Sequence, residues 1–585
     1  MTDSLFHRGP DKGGFFCDDK VSLGHRRLSI IDLSEKGSQP MFFKNFVIVY
    51  NGEIYNFKEI RETLLGEGYR FASETDTEIV AAAYHHWGTQ CVEKFNGMWA
   101  FCIYDRDKNN LFLSRDRFGV KPLYYYFDGN KFIFSSELKA ITAIEPNMTL
   151  DEKGLNFFFY QKYIGSDLTV FKNCHKLLPS HNLIFDISTR EISLNKFYDL
   201  REQIAKCCDI SLSQRLDSVH PLLVDAVEKR LIADVPVGSF LSGGIDSSLI
   251  SAIISGKHKN FDTFSIGFRE SSYNELDYSK FVSETINTRH HYEYLDIDEN
   301  LIEKVIGALG EPFGDSSILP TYLLSQITRK HVTVCLSGDA GDEVFGGYDI
   351  YKAFKLANYI PRPLASLAKP MIELLPPSEK KLSAVFKLQK FLVAWDENKI
   401  KRHLDWMGTF SDEQRQRLLP EFYAASDSLL NPADGGDLLS IQLNDVENYL
   451  AGDILQKVDI ASMLNSLEVR VPFLDYRIVP LVLSLPEEFR VRRLQTKWLL
   501  KKIAEDYLPP KIIHRKKRGF TVPISRWVKN SDLIREYLLN KTYYNGTVDF
   551  EYVKKMYTAH VNNKKEYARQ LWLVFVFNYW YNRKN

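Results

Sequence analysis

From residue 216 to residue 338 the chain alternates helical and strand-like runs, and this alternation limits the fold more than any other feature. LDSVHPLLVDAVEKRLI (216–232) has helical periodicity, VPVGSFLSG (235–243) reads as a buried strand ending in glycine, and SSLISAIIS (247–255) reads as a helix. FDTFSIGF (261–268), HYEYLDI (291–297) and HVTVCLSG (331–338) read as further strands, with a helix at DYSKFVSETI (277–286). Parallel strands need a crossover long enough for a helix, so this order predicts a mostly parallel sheet with helices on both faces. After about residue 350 the pattern is almost all helical, with polar and proline breaks near 360–380 and 425–437.

The first 190 or so residues differ. FVIVYNG (46–52), MWAFCIYD (98–105), NLFLSRD (110–116), PLYYYFDG (122–129) and KFIFSSE (131–137) are aromatic or β-branched runs that close on turn residues. NFKEIRETLLGEG (56–68) and DTEIVAAAYHHWG (76–88) are patterned as helices. The expected organisation is two domains, 1–195 of α+β character and 196–585 of α/β character with a helical C-terminal region.

Two glycine turns carry chemistry. In SGGIDSS, Ser242, Gly243 and Gly244 leave a strand and enter a helix, so successive N–H groups and the helix N-terminus can converge on one anion. GxxxxGK[ST] is absent there, which excludes an ordinary P-loop. LSGDAGDEVFGGY (336–348) also follows a strand, and ligands of open parallel sheets gather beyond the carboxyl ends of strands. Asp339, Asp342 and Glu343 beside phosphates would repel them without a cation, which implies Mg²⁺, with Asp246 a further candidate ligand.

SGGIDSS, EPFGDSSILPTYLLS (311–325), LSGDAGDEVFGGY, DILQKVDIASMLNSLEVRVPFLD (453–475) and KKRGFTVP (516–523), in this order, resemble the glutamine-dependent asparagine synthetase family. The resemblance spans nearly the whole chain. It implies a C-terminal ATP pyrophosphatase domain, Rossmann-like, that converts the aspartate side-chain carboxylate to β-aspartyl-AMP and lets ammonia displace AMP. By resemblance Ser242 to Ser247 (Ser242, Gly243, Gly244, Asp246 and Ser247 among them) hold pyrophosphate. Leu241 and Ile266 flank adenine, and Ser337 and Gly338 close over the nucleotide. Asp246 and Asp342 serve Mg²⁺, while Asp339, Glu343 and Lys497 act in catalysis. The charges Asp459, Glu468, Arg470 and Asp475 are expected to form a salt-bridged scaffold. The family usually has an acidic residue just before EP, where this chain has Gly310. That departure keeps a second acceptor open, either a sugar uronate or the substrate of a β-lactam-type ring closure.

The N-terminal half resembles the family's glutaminase domain, an N-terminal-nucleophile hydrolase with an αββα sandwich. GHRRLSIID (24–32) places Arg27 on the substrate carboxylate. YNGEIYN (50–56) supplies Asn51 and the Gly52 N–H as an oxyanion hole, and Glu53 and Asp76 would bind the α-amino group. In the family HRGPD follows the nucleophilic cysteine by several dozen residues, whereas here it occupies residues 7–11. The family's first strand is therefore missing from the sequence as written. None of the seven cysteines is N-terminal, Cys17 is expected to be a core residue, and Thr2 lies too close to His7 to replace the nucleophile. The expectation is that this chain uses free ammonia and shows no glutaminase activity.

Lys plus Arg equals Asp plus Glu at 75 each, which favours neither nucleic acid nor an anionic membrane as a partner. The longest late apolar run, LWLVFVF (571–577), is far short of the ~20 residues of a membrane span and reads as a buried helix. Seven irregularly spaced cysteines without CxxC fit a reducing cytoplasm better than zinc or disulfides. The expected partners are small molecules: ATP, an aspartate-like carboxylate, and glutamine or ammonia. The resemblance also allows a homodimer.

Overall fold

The computed structural model describes residues 1–165, 167–268, 275–294, 296–357, 391, 398–425, 436–515 and 522–584. The break near 360–380, most of that at 425–437, and the KKRGFT part of KKRGFTVP lie outside the described residues.

Alternation along the N-terminal strands sets the layers. In Phe46–Ile54, Ile48 and Tyr50 point to one face and Val47 and Val49 to the other, as a period of two requires. Gly97–Asp105 repeats the pattern with Phe101 and Ile103 against Ala100 and Cys102. These two strands sit inside a six-stranded sheet whose described pairings are all antiparallel. One face of the sheet is covered by the helices Phe57–Gly66 and Asp76–Trp87. The other faces the hairpin Lys12–Cys17/Ser22–Arg27 and a three-stranded sheet that includes Tyr124–Phe127. The helix Leu138–Thr142 packs beyond the three-stranded sheet, which completes an αββα stack.

The C-terminal half is built on a five-stranded sheet, parallel throughout. In spatial order its strands are Arg289–Tyr294, Asp262–Gly267, Val237–Phe240, Val334–Leu336 and Glu468–Arg470. Four were expected from the alternation. The fifth, Glu468–Arg470, was not expected and lies within the region read as almost all helical. The helix expected at 216–232 runs Leu212–Lys229 and accommodates Pro221. Ala568–Lys584 is the buried C-terminal helix, with Trp572, Phe575 and Tyr579 in the core. No helix among the described residues is long and apolar enough to cross a membrane.

Cys17 is exposed, against expectation. It ends a hairpin strand whose residues alternate outward and inward, and its Sγ lies 3.0 Å from Ser22 Oγ at the rim. The charged stretch near 459–475 is a scaffold of pairs, as expected: Asp459 with Arg8, Glu468 with Arg470, and Asp475 with Arg230 and Arg477. The first pair fastens the two halves together. Arg8 Nη1 and Nη2 donate to Asp459 at 2.7 and 3.0 Å, and Nη1 also reaches Glu137 at 3.0 Å. Beside it, Ser466 Oγ donates to the His7 carbonyl at 2.7 Å.

Candidate functional site

The strand Val237–Phe240 ends at Leu241, and the turn 242–244 leads into the helix Ile245–Ser255. Gly243 has φ +71°, and a Cβ there would lie 2.7 Å from Tyr278 Cβ, so only glycine fits without a shift. The turn is tied by its own side chains. The Ser242 N–H donates to Ser247 Oγ at 3.1 Å and the Gly244 N–H to Ser242 Oγ at 3.3 Å.

The second glycine turn follows the neighbouring strand Val334–Leu336 and meets the first. A Cβ on Gly338 would lie 2.7 Å from the Ser247 nitrogen, and one on Gly341 2.6 Å from Asp246 Oδ1. Both turns therefore open into one cleft of about 1670 Å³ at the carboxyl ends of the strands. It is lined by Leu241, Ser242, Gly244, Asp246, Ser247, Ile266, Ser337, Gly338, Asp339, Asp342, Glu343 and Lys497. Gly243 does not line it; this glycine packs outward on Tyr278 and Ser279.

Lys497 is buried, not the solvated lysine its basic neighbours could suggest. Its Nζ lies 2.6 Å from Asp246 Oδ1 and 2.6 Å from Asp342 Oδ1, so one ammonium joins the two glycine turns. Burial disfavours the charged lysine, but the two carboxylates outweigh it and lift the ammonium's pKa above the ordinary value. Burial also raises the Asp339 carboxyl, against the opposing charge of Lys457. Glu343 is buried and accepts a hydrogen bond from the Tyr348 hydroxyl at 2.5 Å. Asp246 and Asp342, each held beside a glycine that leaves no room for a Cβ, would supply the one or two carboxylates that Mg²⁺ takes beside phosphate oxygens; among the described residues no group of three or more His, Cys, Asp or Glu is gathered as for a metal ion.

Lys457 and Arg515 are among the cations at this cleft that escaped the sequence reading. Lys457 lines it, in the middle of DILQKVDIASM. Arg515 donates to the Gly243 carbonyl at 2.8 Å and stacks on Tyr278, with its carbon 4.0 Å from the ring centre. A basic run at HRKKR was the available signal for Arg515. Gly310, the departure from the family pattern, lies elsewhere. It lines a separate small cavity and packs on Leu138 and Lys139 of the N-terminal half.

A second cavity, of about 970 Å³, gathers Arg27, Asn51, Gly52, Glu53 and Asp76. Asn51 Nδ2 is buried there without a partner, a donor suited to an incoming oxyanion. Gly52 has φ +155° and a Cβ there would lie 2.1 Å from the Met98 oxygen, so this close approach also requires glycine. Arg27 turns its terminal nitrogens to the carbonyls of Ser34 (2.9 Å) and Ile31 (3.1 Å). Asp76 accepts from the Tyr50 hydroxyl at 2.8 Å and the Ile54 N–H at 2.9 Å, yet burial pushes its carboxyl up to about 6. Glu53 is raised well above the usual carboxylate range, first by burial and then by Asp76. Glu468, from the fifth strand of the C-terminal sheet, lines the same cavity, which sequence reasoning missed.

Comparison with known proteins gives two family matches. Residues 218–582 match the model described as asparagine synthase, and residues 1–198 the one described as glutamine amidotransferase domain. Among curated proteins, the chain is 31% identical to asparagine synthetase [glutamine-hydrolyzing] 1 of Bacillus subtilis, over 100% of this chain and 93% of the relative. It is 38% identical to putative asparagine synthetase [glutamine-hydrolyzing] 2 of Methanocaldococcus jannaschii, over 81% of this chain and 96% of the relative. Amidase chyE of Penicillium rubens is 28% identical over 90% of this chain and 84% of its own length.

Proposed function

The chain belongs to the asparagine synthase family, and from that premise we propose that it adenylates the side-chain carboxylate of aspartate with ATP and passes the acyl group to ammonia. The observation that carries this reading is Lys497, whose ammonium stands between Asp246 of one glycine turn and Asp342 of the other.

A carboxylate is a poor acyl donor, and adenylation gives it a leaving group. The cost is negative charge, which grows on the α-phosphate and on the departing pyrophosphate. The start of the helix Ile245–Ser255 would offer N–H donors to the pyrophosphate, joined by the Ser242 and Gly244 N–H groups once phosphate oxygens replace the serine hydroxyls they now bond. Leu241 and Ile266 form apolar walls for the base, and the Ser337–Gly338 turn lies over the helix start. Asp246 and Asp342 would hold Mg²⁺, which would neutralise phosphate charge. Lys497, a compact cation on a flexible stem, would leave the carboxylates for the phosphoryl oxygens as charge develops there. Asp339 and Glu343 face the same space, where they orient the acceptor and receive the proton released as ammonia attacks. In the N-terminal cavity, Arg27 and the acidic pair Glu53 and Asp76 complement the two ends of an amino acid, and Asn51 and Gly52 the oxygen of its side-chain amide.

A larger acceptor carboxylate is the second reading, favoured by the cleft volume of about 1670 Å³. Pockets for ligands of ordinary drug size run about 300–1,000 Å³. Pyrophosphate release from ATP, with Mg²⁺ and ammonium chloride present, tests both. Stimulation by L-aspartate with formation of asparagine and AMP supports the first reading. Stimulation by uronic acids but not aspartate replaces it with the second. ATP binding without pyrophosphate release under any of these conditions would defeat both.

A further inference from the structure

Lys501 stands one helical turn beyond Lys497. Its N–H donates to the Lys497 carbonyl at 2.9 Å, so the two side chains leave one face, as positions four apart do. Both line the large cleft. A second helix, Asp349–Ala357, brings up Lys352, which lines it too. The start of that helix is fixed against Lys497. The Lys497 N–H donates to the Gly346 carbonyl at 3.4 Å, and a Cβ on Gly347 would lie 2.1 Å from Lys497 Cε. Three ammoniums from two helices therefore gather on one wall.

The carboxylates beside them are already engaged. Lys497 takes Asp246 and Asp342, and Lys352 Nζ donates to Asp349 Oδ1 at 3.0 Å. Among the described residues the Lys501 ammonium makes no hydrogen bond or ion pair, although the side chain is half-buried. Burial holds its pKa below the ordinary lysine value, and the charges of Lys352 and Lys497 push the same way, against Asp246. Lost water and crowded like charge both cost stability here. A bound anion would relieve both.

The position of Lys501 narrows the choice of anion. It feels the charge of Asp246, which stands in the first turn of the helix Ile245–Ser255, where phosphates would meet N–H donors. A single carboxylate would leave most of the gathered positive charge unanswered, whereas a diphosphate carries several negative charges on one small group.

We propose that Lys501, seconded by Lys352, binds the terminal phosphates of ATP and the pyrophosphate they become. The proposal rests on the reading of this cleft as an ATP site. Lys501 holds these phosphates both before and after their bond to the α-phosphate breaks. Its loss should therefore fall on KM for ATP more than on kcat.

Calorimetric titration of the whole chain with ATP, pyrophosphate and AMP, each with Mg²⁺, tests this. Lys501→Met should weaken ATP and pyrophosphate about tenfold or more, the size of one charge-assisted contact, and leave AMP within about twofold. Lys501→Arg keeps the charge and should recover most of both affinities. Lys352→Met should show the same pattern more weakly, because Asp349 shares its charge. In steady state, KM for ATP should rise in Lys501→Met with kcat kept, and inhibition by added pyrophosphate should fade in step. Pyrophosphate bound by Lys501→Met as tightly as by wild type would overturn the proposal. So would an equal loss of AMP and ATP affinity, the mark of a merely structural lysine. Should Lys501→Met fail to fold, the same contrast in Lys352→Met decides. A wild type that binds pyrophosphate but releases none from ATP with any acceptor would defeat the function proposed above and leave this subsite standing. A wild type that binds neither ATP nor pyrophosphate would defeat both.

Discussion

Lys497 Nζ lies 2.6 Å from Asp342 Oδ1, although nothing in the sequence joins QTKW to the GDE turn 155 residues earlier. The backbone is committed to the contact: Lys497 has φ +54°, a conformation few non-glycine residues hold without a reason. Lys497→Met should lower the rate of pyrophosphate release about 10²–10³-fold, in line with loss of one charge-stabilising group. Lys497→Arg should recover little, because a planar fork does not replace a point charge in this space. Steady-state rates with the fold checked by circular dichroism decide it. Unchanged rates in Lys497→Met would exclude the lysine from the chemistry.

Gly347 tests the same contact without removing a charge. A Cβ there would lie 1.9 Å from Asp342 Oδ1 and 2.1 Å from Lys497 Cε, so both groups must move. Gly347→Ala is expected to cost about 1–3 kcal/mol of stability from overpacking. Its catalytic loss should approach that of Lys497→Met. A variant with a lowered melting point but full kcat would show that the lysine's placement is not critical.

If the N-terminal cavity takes glutamine as proposed, Asp76 should make its binding sensitive to pH. Its carboxyl is pushed up to about 6, chiefly by burial, from about 4 in an unfolded chain. A raised folded pKa means that ionisation of Asp76 detracts from stability as pH climbs from about 4, fully so above about 6. The ammonium of a ligand needs the ionised form. L-Glutamine affinity should thus hold above pH 7 and fall below about 6, by up to about tenfold per unit. In Asp76→Asn the affinity should be low and its pH dependence flatter across this window. A wild-type Kd constant from pH 7.5 to 5 would refute the assignment.

Arg8 should matter more for cohesion than for chemistry. Arg8→Ala leaves Asp459 and Glu137 without their shared partner; removing one side of a buried pair costs about 3–5 kcal/mol. The loss should appear as a lower midpoint in urea unfolding and as earlier proteolysis between the two halves. An Arg8→Ala variant as stable as wild type would mean that the pairs do not hold the halves together.

These residues also show where the sequence could be read and where it could not. Four of the parallel strands were legible from their alternation with helical runs, and both glycine turns because VPVGSFL and VTVCL each run straight into Ser-Gly. Glu468–Arg470 did not: three residues, two of them charged, carry no strand signal, and they are strand only because Val334–Leu336 offers an open edge. Short motifs named five N-terminal residues that do line one cavity, but a further wall of it, Glu468, comes from 392 positions after Asp76. For Lys497, the residue type was readable, whereas its burial was fixed by two carboxylates brought up by separate strands. Cys17 shows the converse error, since residue type suggested the interior and a strand's alternation placed it at the rim.

The clasp between Arg8 and Asp459 also has a consequence in time. Its two members are made 451 residues apart, and at about 5–20 residues per second the arginine leaves the ribosome roughly 20–90 s before its partner exists. Until then the arginine has only Glu137 to pair with, and the N-terminal layers must wait with their docking edge bare. The closing step of biogenesis is therefore set by translation speed, and a nascent chain stalled short of residue 459 is the form a chaperone would be called on to shield.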